Sequence, residues 1–99
     1  MPAVARLSDD EVRAALRELP GWEGDAAAIR KGFRFRGFRA AIAFVDRVAD
    51  EAVAARHHPD IDVRYDRVTI VLTTHDEDGV TDADVALARA IERAAAVEG

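Results

Sequence analysis

The spacing of apolar residues switches along the chain between the helical period and the strand period, and this switching limits the possible folds most. Near the start, Ser8 and Glu11 have the spacing of a capping box. The apolar residues that follow recur at helical intervals: Val12, Ala15, Leu16 and Leu19. Pro20-Gly21 ends this helix, and we expect Trp22 to fold back onto the core.

A strand and a long helix are predicted next. Apolar and polar residues alternate from Ala28 to Phe35, which is typical of a β-strand. Gly32 predicts a bulge or turn, so this stretch is either one bent strand or a tight pair. A helix is predicted from Phe38 to Arg56, and Pro59 stops it because the residue before a proline is pushed out of helical geometry. Its apolar stripe is continuous: Phe38, Ala41, Ile42, Val45, Val48, Ala49, Ala52 and Val53.

The second half of the chain predicts a hairpin and a last helix. The segments Ile61–Arg64 and Val68–His75 form the hairpin, which turns near Tyr65-Asp66-Arg67. The last helix begins near Thr81, with Asp84 three residues further on. The order helix, strands, helix, strands, helix predicts an α+β fold, in which an antiparallel sheet carries the helices on one face.

Length and composition narrow the class of protein. The 99 residues fit a single domain over 1–99, and so small a domain has little stability to spare, which favours self-association. The net charge of −5 argues against general attraction to nucleic acid or membranes. The arginines between Arg30 and Arg39 are dense enough for a basic patch, but charges at this spacing are more typical of the solvated face of a strand. Because cysteines, a signal peptide and a membrane-spanning run are absent from the sequence, we expect a cytoplasmic protein.

The three histidines are the strongest candidates for chemistry. His57 and His58 end the long helix, where a charged histidine is also typical of an ordinary helix terminus. His75 lies at the end of the predicted hairpin, where a loop begins. Together they indicate one convergent site, either a metal centre or a proton-transfer site. Adjacent side chains diverge on a helix, which disfavours a shared metal, whereas imidazoles suit proton transfer near neutral pH.

The segment from Phe44 to Asp84 resembles the pterin-4a-carbinolamine dehydratase family, also called dimerisation cofactor of homeodomain transcription factors. The family's pattern combines two histidines and a proline with an aromatic residue, a further histidine and a later aspartate. Here the pattern falls on His57, His58, Pro59, Tyr65, His75 and Asp84, with matching spacing throughout. The resemblance spans the whole chain, because it also includes Leu19-Pro20-Gly21-Trp22, Phe33-Arg34-Phe35 and the final helix.

The resemblance implies a fold and an assembly. The fold is a four-stranded antiparallel sheet with three helices on one face, in the order α-β-β-α-β-β-α. The assembly is a homodimer or homotetramer. From the net charge and the lack of a long apolar run, we expect no direct nucleic acid binding and no membrane association.

The resemblance also implies an activity and its residues. The activity is dehydration of 4a-hydroxytetrahydropterin to quinonoid dihydropterin, in tetrahydropterin recycling, with no metal and no organic cofactor. The catalytic residues are then His57, His58 and His75, with His57 and His75 as the acid–base pair. The pterin is bound by His58, Pro59 and Asp84, and Asp84 either orients His75 or caps the last helix.

One position departs from the family's pattern. Val53 stands one helical turn before His57, where the family usually has an acidic or other polar residue. Since valine cannot support His57, we expect activity to survive with a lower rate or a lower optimum pH. Two alternatives stay open: a protein that binds pterin without turnover, and a module that binds another helix through the apolar stripe. We otherwise assign that stripe to the core or to a homo-oligomer interface.

Overall fold

The computed structural model describes residues 5–97, which form three helices on one face of a four-stranded antiparallel sheet. The helices are α1 (Asp9–Leu16), α2 (Phe38–Ala55) and α3 (Asp82–Ala95). The strands are β1 (Glu23–Gly24), β2 (Ile29–Arg34), β3 (Asp60–Arg64) and β4 (Arg67–Leu72). They lie in the order β1-β2-β4-β3 across the sheet, and a 3-10 turn, His75–Glu77, follows β4. The predicted α+β fold and element order are confirmed.

The core lies between the inner face of the sheet and the helices, chiefly α2 and α3. Alternate residues of β2 and β4 point into it and are buried, which explains the period of two in both strands: Ile29, Phe33, Val68, Ile70 and Leu72. Phe44 of α2 lies between two aromatic rings, 4.9 Å from the ring centre of Phe33 and 4.8 Å from that of Phe35. These contacts fix the position of α2 on the sheet, and with it the position of the C-terminal end of the helix in space.

The capping box predicted for α1 is present. The Ser8 hydroxyl accepts from the Glu11 N–H, and the Glu11 carboxylate accepts from the Ser8 N–H. The hydrogen bond from the Ser8 backbone, and then that with its side chain, lower the pKa of Glu11. The helix ends at Leu16, earlier than the predicted end at Pro20-Gly21, and a tight turn over Leu19–Trp22 follows, closed by the Trp22 N–H on the Leu19 carbonyl. Gly21 has φ 86° there, a conformation that side chains disfavour.

Trp22 folds back onto the core as expected and ties the start of the chain to α3. Its ring is almost fully buried and meets the edge of Phe33, with ring centres 6.2 Å apart. Its indole N–H donates to the Glu92 carboxylate of α3 at 2.9 Å. Lys31 of β2 donates to the same carboxylate oxygen at 2.8 Å, so Glu92 joins three parts of the chain.

The bulge or turn predicted at Gly32 is wrong. Gly32 lies opposite Thr69 in an unbroken ladder between β2 and β4. The chain turns earlier, between β1 and β2, where Gly24 has φ 136° and the Asp25 N–H donates to the Ala28 carbonyl. Strand β1 has only two residues, too few for an alternating pattern to reveal.

Two predicted ends and one predicted face also differ from the structure. Strand β4 ends at Leu72, so His75 lies in the 3-10 turn and not on the strand. Helix α2 ends one residue early, and its apolar stripe divides into two faces. One face is buried: Ala41, Phe44, Val48 and Ala52. The other is exposed and includes Phe38, Ile42 and Val53. Of the helices within residues 5–97, none is long and apolar enough to cross a membrane.

The two glycines near the β1–β2 turn give a matched test of this correction. A side chain at Gly24 would overlap the Ala28 carbonyl and sit at a positive φ, so Gly24→Ala should destabilise the protein by at least roughly 1–3 kcal/mol. Gly32 has open space around it, so Gly32→Ala should be neutral or stabilise by up to about 1 kcal/mol. Urea unfolding of both variants measures the difference; equal losses would contradict the position of the turn.

Candidate active site

The carboxylate of Asp84 is the centre of the site. Asp84 lies in the first turn of α3 and is fully buried. Its Oδ2 accepts from the Thr81 N–H at 2.9 Å, so that the predicted cap at Thr81 is part of a capping box, and from the Thr74 hydroxyl at 2.8 Å. Its Oδ1 lies 2.5 Å from Nε2 of His57. The positive end of the α3 dipole also favours a negative charge at this position.

His57 reaches this carboxylate because the chain reverses direction where α2 ends. Arg56 has φ 53° and ψ 40°, the left-handed conformation, which costs roughly 1–2 kcal/mol for a residue with a side chain. Two hydrogen bonds offset this cost: the Arg56 N–H donates to the Val53 carbonyl, and the His57 N–H donates to the Ala52 carbonyl. The turn directs His57 toward α3, where its side chain is 15% exposed.

The other two histidines are exposed, and each follows in sequence a residue that contacts Asp84. His58 follows His57 directly and precedes the half-buried Pro59, which leads into β3. His75 follows Thr74, whose hydroxyl binds Asp84, and it opens the 3-10 turn after β4. The C-terminal end of α2, the N-terminal end of α3 and the segment after β4 therefore meet at one carboxylate. The structure places all three histidines on segments that meet there.

The structure corrects the expected partner of Asp84. The sequence led us to expect that Asp84 orients His75 or caps the last helix. It does cap α3, but the ring that it holds is that of His57, across 27 positions of the chain. The carboxylate beside His57 comes from α3. Val53, one turn before His57 on α2, has no carboxylate and is 69% exposed. Asp84 of α3 therefore makes the contact with His57 that a valine at position 53 cannot make.

Two threonines in the site were missed by the sequence analysis. Thr81 was noticed only as a helix cap, and Thr74 only as part of a strand. Both hydroxyls lie beside Asp84, with Thr74 Oγ1 2.8 Å from Thr81 Oγ1. The one available signal was position: Thr74 precedes a candidate histidine, and Thr81 precedes Asp84 by one helical turn.

The fold and site together define a class: a small α+β protein in which a buried carboxylate holds one histidine, and two exposed histidines lie on the segments that meet at it. Such a set is suited to moving protons, because each imidazole can accept or give a proton near neutral pH. Within residues 5–97, His, Cys, Asp and Glu side chains form no group of three or more with the arrangement of a metal site.

Comparisons with known proteins narrow this class to a family. The sequence profile of the pterin 4 alpha carbinolamine dehydratase family matches residues 5–94. A relative from Thermomicrobium roseum is 51% identical over 86 residues, which cover 87% of this chain and 92% of the relative. One from Chloroflexus aurantiacus is 52% identical over 87 residues, covering 88% and 94%. Both are provisionally named pterin-4-alpha-carbinolamine dehydratases.

A solved structure agrees with the sequence comparisons. The crystal structure of a transcriptional coactivator/pterin dehydratase from Brucella melitensis matches this fold with a TM-score of 0.87 at 38% identity. The match covers 91% of this chain and 98% of that one. The chain belongs to the pterin-4-alpha-carbinolamine dehydratase family.

The stability of the site tests the central role of Asp84. Asp84→Ala removes the acceptor for the Thr74 hydroxyl, the Thr81 N–H and the His57 ring, and each buried donor left without a partner costs about 1–3 kcal/mol. Asp82→Ala is the matched control, because Asp82 lies in the same helical turn but is exposed, and should cost less than about 1 kcal/mol. Chemical unfolding measures the free energy of unfolding of both variants. Similar losses of stability would contradict the central role of Asp84.

Proposed function

We propose that this protein dehydrates 4a-hydroxytetrahydropterin to quinonoid dihydropterin, as a 4a-hydroxytetrahydrobiopterin dehydratase in tetrahydropterin recycling. The observation that carries the proposal is the bond between the buried Asp84 carboxylate and His57, with the exposed His58 and His75 on segments that meet at this carboxylate. Membership of the family supports a pterin as the substrate.

The reaction needs one group that gives a proton and one that takes a proton. The carbon–oxygen bond at ring position 4a breaks, and the hydroxyl leaves as water with the proton from the acid. The base takes the proton of the neighbouring ring nitrogen, whose electron pair forms the new carbon–nitrogen double bond. Each such transfer contributes about 10²–10⁴-fold to the rate. His57 and His75 form the acid–base pair, and no electron acceptor is required.

The remaining residues hold the substrate and the catalytic rings. His58 binds and orients the pterin, and Pro59 fixes the turn that presents His57 and His58. Asp84 fixes the ring of His57 and stabilises the imidazolium that forms when this ring takes up a proton, as the aspartate does in a catalytic triad. Its burial keeps water from competing for the carboxylate.

Turnover by the purified protein tests the proposal. The native protein should dehydrate a 4a-hydroxytetrahydropterin well above the uncatalysed rate. Removing one transferring ring, in His57→Ala or His75→Ala, should lower kcat by about 10²–10⁴-fold. His58→Ala should mainly raise KM, because that ring contributes binding.

The control is Asp76→Ala, which changes an exposed side chain next to His75 in the same 3-10 turn. It should leave kcat and KM unchanged. A native rate equal to background would refute the enzyme. If the pterin still bound tightly, the protein would instead be a pterin-binding protein without turnover.

We also propose that the exposed apolar face of α2 is the interface of a homodimer or homotetramer. Phe38 is 52% exposed and Val53 is 69% exposed, with Ile42 on the same face. Apolar side chains aligned along one helix face are typical of surfaces that pack against another helix. The partner is a second copy of this chain, because so small a domain gains stability from burying the face in an assembly.

Light scattering after gel filtration tests this interface. Ile42→Asp places a charge within the apolar face and should weaken association more than about tenfold, because an unpaired buried charge costs well over 1.4 kcal/mol. Ala54→Asp is the control, since Ala54 is exposed on the polar side of the same helix and should not change the assembly. A native monomer, or an Ile42→Asp oligomer as stable as the native one, would contradict the interface and favour a different helical partner.

A further inference from the structure

A continuous row of hydroxyl and amide groups connects the start of α3 to the Asp84 carboxylate. The Ala83 N–H donates to the Thr81 hydroxyl at 3.2 Å. The hydroxyls of Thr81 and Thr74 are 2.8 Å apart, and the Thr74 hydroxyl lies 2.8 Å from Asp84 Oδ2. Asp84 Oδ1 continues the row to Nε2 of His57. Thr81 and Asp84 are fully buried, so water does not interrupt it there.

The direction of these hydrogen bonds follows from counting protons. An ionised carboxylate only accepts, so the Thr74 hydroxyl must donate to Asp84. A hydroxyl has one proton, so Thr74 has none left and must accept from Thr81. Thr81 in turn accepts from the Ala83 N–H. All donors therefore point toward Asp84, and the carboxylate has a single favoured orientation.

The contact between Asp84 Oδ1 and His57 decides which nitrogen of the His57 ring carries the proton. A neutral imidazole has one N–H and one lone pair. Since Asp84 Oδ1 only accepts, the N–H must be on Nε2 and the lone pair on Nδ1. Nδ1 has no hydrogen-bond partner among residues 5–97, and within that part of the chain no buried side-chain nitrogen lacks one. Nδ1 therefore opens to the solvent-accessible surface of the site.

We infer that Nδ1 of His57 is the nitrogen that exchanges a proton with the pterin, and that Thr74 and Thr81 are positioning residues that fix it through Asp84. The inference rests on the proposed function for the identity of the substrate. The position of the proton on the ring does not depend on it, because that follows from the hydrogen bonds alone.

Thr74 has a second connection that makes it more than a support for His57. Its backbone forms an isolated bridge with Gly79: the Thr74 N–H donates to the Gly79 carbonyl at 2.9 Å, and the reverse bond is 3.3 Å. This bridge closes the short loop that carries His75. Thr74 thus fixes the carboxylate behind His57 with its side chain and the loop of His75 with its backbone. Loss of the hydroxyl should affect His57 and leave the loop closed.

Nitrogen NMR of the full chain with ¹⁵N-labelled histidine tests the inference directly. In the native protein at a pH where His57 is neutral, Nε2 should show a pyrrole-type shift and Nδ1 a pyridine-type shift. Thr74→Val removes the hydroxyl at nearly constant volume and should move both shifts toward their average. It should also lower kcat by up to about 100-fold with little change in KM, because a misplaced catalytic group costs rate more than binding.

Two further variants separate positioning from a general effect on the fold. Thr74→Ser keeps the hydroxyl and should restore both the ring shifts and kcat. Thr69→Val makes the same change on β4, on the outer face of the sheet, and should leave both unchanged. If Thr74→Val does not fold, the ring shifts of the native protein decide alone.

The inference is overturned if the native protein carries the proton on Nδ1, or if Thr74→Val matches Thr69→Val in both measurements. The proposed function fails separately. If the expected ring shifts appear in a protein without turnover, the role of Thr74 and Thr81 in fixing the His57 proton stands, whereas the assignment of the pterin reaction does not.

Discussion

A buried negative charge organises the functional end of this protein. Taking a carboxylate out of water costs several kcal/mol unless hydrogen bonds and a partner replace the lost hydration. Asp84 is fully buried, and its partners come from the C-terminal end of α2, the segment after β4 and the start of α3 itself. The requirement to satisfy one carboxylate therefore brings together three segments, two of which carry the histidines.

The rest of the fold positions these segments next to one another, around the Asp84 carboxylate. The aromatic contacts of Phe44 set α2 across the sheet, and the left-handed turn at Arg56 redirects the chain after the helix. The antiparallel pairing of β3 and β4 then places the end of β4 beside the start of β3, near His57. The sheet and the helices therefore support a site that is built where these segments meet.

The sequence predicted the parts of the fold that have a clear period and missed those that do not. The long helix, the hairpin, the capping box of α1 and the cap of α3 follow from periodicity and local hydrogen bonding. The two-residue strand β1 has no period, and Gly32 was misjudged because a glycine within a strand resembles a bulge. In the site, the histidines were identified by type, but the pairing of Asp84 with His57 depends on how distant segments pack, which spacing does not reveal. Thr74 looks like any strand residue until its neighbours are known.

Helix α3 is held at both of its ends by different chemistry, and this gives the protein a built-in optical probe. Its N-terminal turn contains Asp84, and its C-terminal half contains Glu92, whose carboxylate accepts from the indole of Trp22. Trp22 is the only tryptophan of the chain. The emission of Trp22 therefore depends on the position of α3, the helix that also carries the buried Asp84 carboxylate. A displacement of the N-terminal end of α3, beside His57, is transmitted to the indole through about two turns of continuous helix. The fluorescence of Trp22 therefore reports on the position of the whole helix.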